Sequence, residues 1–172
     1  MRRVRHSPPS NDANAPWAAK LATPFAVLGI RTAQGRITTI EFLPPDTPEL
    51  APQDPVAAQA VRQLRAYVDD RKFRFTLPLA PEGTPFRHRV WEALERIPTG
   101  EARTYGDIAR EVKSAARAVG GACGANPIVI VIPCHRVVAG AGRLGGFMNS
   151  RAGDPLAIKT WLLRHEGYGI DP

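Results

Sequence analysis

The chain has 172 residues, 44% of them hydrophobic and 23% charged, with a formal net charge of +7. That is long enough for a sizeable core and ordinary for a soluble globular protein, and no run approaches the roughly 18 apolar residues of a membrane span. Two cysteines, Cys123 and Cys134, are too few for a disulfide framework or a cysteine-rich zinc site, and the four histidines lack metal-ligand spacing, so a reducing cytoplasm and no metal are expected.

The basic N-terminus has no apolar stretch behind it, so residues 1–19 are expected to form a disordered tail rather than a secretory signal. Over the first 20 residues Arg2, Arg3, Arg5 and Lys20 against Asp12 supply +3 of the net charge. The remaining body is mildly basic, which allows nucleic acid as a partner without establishing it. In FAVLGIRTAQGRITTIEFL (25–43), β-rich runs on either side of Gln34-Gly35 predict a hairpin. A proline-rich loop follows, and Asp54-Pro55 reads as N-cap and first helical position. Ala57, Ala60, Val61, Leu64 and Val68 then predict an amphipathic helix over 55–70. KFRFTLPL (72–79) alternates like a strand, and PEGTP (81–85) is the best candidate linker. The block 20–80 holds no cluster of catalytic residue types and is read as mainly structural.

The second block, 84–170, differs in texture. Thr84-Pro85 starts a helix with Phe86, Val90, Leu94 and Ile97 on one face, ending at Pro98 and Gly100. Thr104-Tyr105-Gly106-Asp107 resembles a capping box and opens a short helix of about 104–112. Ser114 is placed to cap another, SAARAVGGACG, so the pair suggests a helix-turn-helix. The second helix is small-sided, with Ala116, Gly120 and Gly121 around one long charge, Arg117. Glycine weakens a helix by about 1 kcal/mol relative to alanine, so tolerating it suits close approach of another backbone, in the core or in nucleic acid. The apolar run Ile128–Ile132 reads as a buried strand, ended by Pro133, with Cys134, His135 and Arg136 presented together. On an extended chain adjacent residues point apart, so His135 is expected to reach the thiol through a water. The usual logic asks for a carboxylate to orient the imidazole, which spacing alone does not identify. A last helix begins at Asp154-Pro155, carries Leu156, Ile158, Leu162 and Leu163, and ends at Gly167.

IPCHRV (132–137), ARAVGGACGANP (116–127), VWEALERIPTGEARTYGDIA (90–109) and WLLRHEG (161–167) together resemble the methylated-DNA–protein-cysteine methyltransferases, across roughly 84–168. The resemblance implies an α+β fold: a small N-terminal RNase-H-like α/β domain, then a mostly helical winged helix-turn-helix domain with the active-site cysteine. It implies that Cys134 takes the alkyl group of 6-O-methylguanine irreversibly, once per molecule, and that 4-O-methylthymine is a second candidate substrate. His135 would be the base acting through water, Glu166 its carboxylate partner, and Asn126 a brace for the turn and the active-site strand. Tyr105 would donate toward the departing guanine oxygen and help rotate the phosphate. Arg117 would fill the space of a flipped nucleotide, with Ala116, Gly120, Gly121, Tyr105 and Arg136 also on the DNA side, in the minor groove. Double-stranded DNA is then the partner, and the protein a cofactor-free monomer.

The chain departs from the family in GRLGGFMNSRAGDPLAIK (142–159), a few residues longer than in many relatives, with Phe147, Met148 and Asn149 where many have a tyrosine and small residues. Lys159 is expected on a helix face, and His165 at the surface. Two other readings compete. A helix-turn-helix damage sensor without chemistry would lack the acceptor cysteine, which is present here; a Cys-His hydrolase would need an oxyanion hole and turnover.

Overall fold

A computed structural model describes residues 14–147 and 154–169. Three antiparallel strands, β1 (Ala19–Ala22), β2 (Val27–Ala33) and β3 (Arg36–Leu43), form a sheet in the order β1-β2-β3. The hairpin turns at Gln34 and Gly35, both with positive φ (52° and 72°), as a two-residue primed turn requires. β1 was not foreseen, and the chain packs from earlier than the expected tail boundary at 19. Ala18 donates to Ile30 at 2.8 Å, and Trp17 lies over the Arg31 guanidinium at 3.5 Å. Gly29 makes room for that ring, since a Cβ there would meet Trp17 at 2.6 Å. Residues 1–13 of the expected tail lie outside the described residues.

Helix α1 (Pro55–Asp69) packs on the sheet. Asp54 caps it, accepting from the Ala57 amide at 2.8 Å. Ala57, Ala60, Val61 and Leu64 are buried as the spacing requires, but the stripe continues through Tyr67, and Val68 is half-buried. Residues 72–79 alternate in exposure yet form no strand. Only Leu79 bridges Ile37, while the Gln63 side chain takes the place of a ladder by bonding both the Thr76 amide and its hydroxyl at 2.9 Å.

Helix α2 (Pro85–Glu95) starts at the Thr84 cap, and Trp91 Nε1 donates to the Ala122 carbonyl at 2.9 Å, tying it to α4 (Ala116–Gly124). Between them, β4 (Arg103–Thr104) leads into α3 (Tyr105–Val112), which has the complete Thr104–Asp107 capping box. Ser114 does not cap α4; Ala115 occupies that position with no side-chain bond. Lys113 adopts a left-handed conformation (φ 55°), so the Ser114 amide turns back to the Ala109 carbonyl and closes α3 instead.

The run Ile128–Ile132 is largely buried as expected but is not a strand. It folds as a tight turn, with Ile132 donating to Ile128 at 3.0 Å and Ile130 at φ 72°. Two bonds dock it on β3: Ile40 to the Pro127 carbonyl, and Val129 to the Ile40 carbonyl. β5 (Val137–Val138) pairs in parallel with β4, and α5 (Pro155–His165) runs from the Asp154 cap to Gly167. At φ 86° Gly167 lets the Tyr168 and Gly167 amides reach the Leu163 and Arg164 carbonyls, a Schellman ending. One hydrophobic cluster takes in Leu28, Ile40 and Leu64 from the first half and Trp91, Ile128 and Leu162 from the second. The architecture is α+β, and among the described residues no helix is long and apolar enough to cross a membrane.

Candidate active site around Cys134

Pro133 ends the apolar turn, and Cys134–Arg136 form one turn of 3-10 helix, not the extended chain expected. At three residues per turn the side chains fan out. Cys134 lines a cavity of about 660 Å³, His135 faces Glu166, and Arg136 reaches α2's end.

His135 is fully buried, with Nε2 2.8 Å from Glu166 Oε1. A carboxylate oxygen only accepts, so Nε2 carries the proton and Nδ1 is left as an acceptor. That Nδ1 is buried and, among the described residues, bonds to no protein atom. Burial lowers the imidazole below its usual range and outweighs the pull of Glu166, so His135 is neutral near pH 7. Glu166, at the C-cap of α5, is 3% exposed. Burial would raise its carboxyl, but the bonds from His135 and Arg136 prevail and hold it well below the ordinary carboxylate range.

Arg136 was expected on the DNA side. Its guanidinium is instead committed inward: Nε to Glu166 Oε2 and Nη2 to Oε1, both at 2.9 Å, Nη1 to the Ile97 carbonyl at 2.7 Å, and Nη2 to Thr99 Oγ1. A fork matching a carboxylate in two places is a clamp for that carboxylate. Lys159 is likewise no helix-face residue. It is fully buried, and Nζ donates to the carbonyls of Val137 and Leu144 at 2.7 Å and of Gly146 at 2.9 Å. Burial pushes the ammonium down to about 8, an effect that a thiolate at Cys134 or Cys123 would oppose. His165 is half-buried rather than superficial, stacked on Trp161 with ring centroids 4.7 Å apart.

Burial pushes the Cys134 thiol up to about 11, against the Asn126 side-chain hydrogen bond and the Lys159 charge, so the resting group is the thiol. Asn126 braces the turn: Nδ2 donates to the Ile132 carbonyl at 2.8 Å, and Oδ1 accepts from the Ile128 amide at 2.9 Å. Tyr105, the first residue of α3, donates to the Gly146 carbonyl at 3.0 Å; burial pushes its phenol up to about 12. Tyr105, Cys123, Cys134 and Phe147 line the cavity together with Ala116, Gly120 and Gly121 of α4. Arg117 stands exposed on the same helix. Met148 and Asn149 lie outside the described residues.

Two contributors escaped the sequence reading. Tyr67, from the block read as structural, donates its hydroxyl to Glu166 Oε1 at 2.9 Å. A phenol within an otherwise apolar helical stripe needs a polar partner when buried, and that was the available signal. Lys159 gave a similar one, being flanked in sequence by Ile158 and the Leu162–Leu163 pair, because lysine is almost never buried unpaired.

The fold and site define a protein with the buried Cys134 thiol on a cavity, a neutral histidine beside it in sequence held by a carboxylate, and an open, small-sided helix at the cavity rim. Residues 85–168 match the family model described as the 6-O-methylguanine DNA methyltransferase DNA-binding domain. The methylated-DNA–protein-cysteine methyltransferase of Methanosarcina acetivorans is 48% identical over 111 residues, covering 63% of this chain and 68% of the relative. The crystal structure of the Mycobacterium tuberculosis O6-methylguanine methyltransferase superposes with a TM-score of 0.72 at 38% identity, covering 89% of this chain and 93% of that one. A crystal structure of Mycobacterium tuberculosis OGT in complex with DNA gives a TM-score of 0.70 at 36% identity, covering 86% and 90%. The chain belongs to the methylated-DNA–protein-cysteine methyltransferase family.

Proposed function

We propose that the protein repairs duplex DNA by moving the alkyl group of 6-O-methylguanine irreversibly onto Cys134, with 4-O-methylthymine as a second candidate substrate. The observation that carries this reading is the opening of the Cys134 thiol into a cavity shared with Tyr105 and rimmed by α4, while the neutral His135 stands behind it. Since the resting group is a thiol, its proton must leave before attack. A water bridging Sγ and the free Nδ1 of His135 would carry it, and Glu166 would stabilise the imidazolium formed. The thiolate displaces the guanine oxygen at the methyl carbon: the carbon–oxygen bond breaks, the thioether forms, and the base leaves with the bonding pair. Tyr105, turning from the Gly146 carbonyl, donates toward that base. The thioether has no route back to thiol, so each molecule acts once.

A base within the stack hides the reacting carbon, so it must be flipped out, at a cost of a few kcal/mol. Arg117 would enter the vacated space, with Ala116, Gly120 and Gly121 against the minor groove, whose sparse base code suits a scanner of any sequence. Residues 20–80 would form the RNase-H-like domain, and 84–170 a winged helix-turn-helix domain including α3 and α4. The protein would act as a cytoplasmic monomer without a cofactor.

Incubation with duplex carrying one 6-O-methylguanine, followed by peptide mass spectrometry, tests the chemistry. The expected result is one methyl group on Cys134, accumulating to stoichiometry and then stopping. Tight binding without a modified cysteine would mean a damage sensor, and continued turnover a hydrolase.

A further inference from the structure

The Tyr67 hydroxyl reaches Glu166 across 99 residues of sequence, from the half of the chain that carries no other chemistry. The side chain is 1% exposed, packed against Phe75 with centroids 5.5 Å apart and edge-on to His165 at 5.1 Å. It donates to Oε1, the same oxygen that receives His135 Nε2 at 2.8 Å. Arg136 already grips both carboxylate oxygens and so fixes the plane of the group. Tyr67 therefore adds little orientation. What it adds is a further donor on the one oxygen facing the imidazole, and donors on one acceptor compete for the same charge density.

We propose that Tyr67 is a positioning residue of the transfer reaction: by sharing Glu166 Oε1 with His135, it sets how strongly the carboxylate holds the imidazole. This rests on the reading of Cys134 as acceptor with His135 as base. The charged and titratable groups facing His135 are Glu166 and Lys159 from α5, Arg136 and Cys134 from the 3-10 turn, and Tyr67 acts on it through Glu166 from α1. Arg136 and Lys159 both oppose a positive imidazole, and Glu166 favours one. Burial pushes the Tyr67 phenol up, which keeps it a donor throughout the working range. Without that donor Oε1 pulls harder on the imidazolium, and His135 charges at a higher pH, losing its free acceptor where the base is needed.

The test is single-turnover transfer from methylated duplex between pH 5 and 9, using the full chain as wild type and Tyr67→Phe, each also carrying Glu166→Gln. In Tyr67→Phe the midpoint of the acid limb is expected to rise by about 0.5–1 pH unit, equivalent to about three- to tenfold slower transfer on that limb. At pH 8.5 the rate stays within about twofold of wild type, as does the DNA dissociation constant, for a contact that neither touches DNA nor orients the carboxylate. In the Glu166→Gln background Tyr67→Phe shifts nothing further, as required of a residue acting through Glu166. His165, whose ring lies edge-on to Tyr67, would still act in that background and is thereby separated. Tyr67→Leu is a second hydroxyl-free variant, and an unmoved midpoint in whichever variant folds overturns the proposal, whatever happens to Tm. Absence of transfer in the wild type overturns the Cys134 reading, and this one with it.

Discussion

Glu166 carries more of the site than any neighbour, because one carboxylate answers Tyr67, His135 and Arg136 at once. Breaking a buried charge pair costs about 3–5 kcal/mol, reduced to roughly 2–4 where the partner is partly hydrated and an amide keeps some bonds. The Arg136 side chain is 12% exposed, so the lower range applies to Glu166→Gln. At about 2–4 °C per kcal/mol for a chain of this size, Tm should fall by roughly 5–15 °C at pH 7. The pH dependence has a definite sign. A carboxyl held below its ordinary range stabilises the fold fully above its unfolded pKa, and that contribution drains away as pH falls toward the folded value. The Tm gap between wild type and Glu166→Gln should therefore narrow from pH 7 to pH 3; thermal unfolding at both pH values checks it, and a gap that widens in acid would contradict the assignment.

At the level of elements, α4 spends helix stability without an internal reason. A Cβ built on Gly120 or Gly121 meets nothing within 4 Å, so neither glycine serves packing in the free protein. Gly121→Ala should add about 1 kcal/mol of helix stability and raise Tm by about 2–4 °C. If α4 lies on a DNA backbone, the same methyl should weaken binding to unmodified duplex about tenfold, or about 1.4 kcal/mol, by fluorescence anisotropy. A more stable variant with undiminished affinity would move the DNA face elsewhere. Four helix starts were legible in the sequence because caps are local: Asp54, Thr84, Asp154 and the Thr104–Asp107 box all stand where their residue types placed them, whereas Ser114 does not cap α4. Segments that depend on distant partners were not. Ile128–Ile132 has the composition of a buried strand, but burial does not distinguish a strand from a turn. Ile130 accepts a left-handed backbone, costing about 1–2 kcal/mol, while its 2% exposed side chain returns a comparable or larger amount by burial. Residues 72–79 alternate correctly, yet strandhood needs a neighbouring ladder, and Gln63 fills most of that place.

Across the whole molecule, motif density and structural dependence do not coincide. Cys134, His135, Asn126 and Glu166 lie in a stretch whose short signatures could be read directly, and the structure brings them together. The contribution of the first half is invisible to such reading, since it consists of contacts across long separations: Tyr67 with Glu166, Ile40 with the 127–129 backbone, and Phe25 against Trp161 at 4.5 Å. The segment between the halves is different again, exposed at residues 82–84 and without helix or strand. A protease cutting there would divide the polypeptide without dividing the molecule. Two bands on a denaturing gel, one peak in gel filtration and undiminished methyl transfer are the expected results, whereas separation of the pieces would show the shared core to be weaker than its contacts imply. A fold of this kind also lends itself to fragment complementation: two inert halves, expressed apart, would regain a nucleophile only on meeting, and a labelled methyl group would record that they had met.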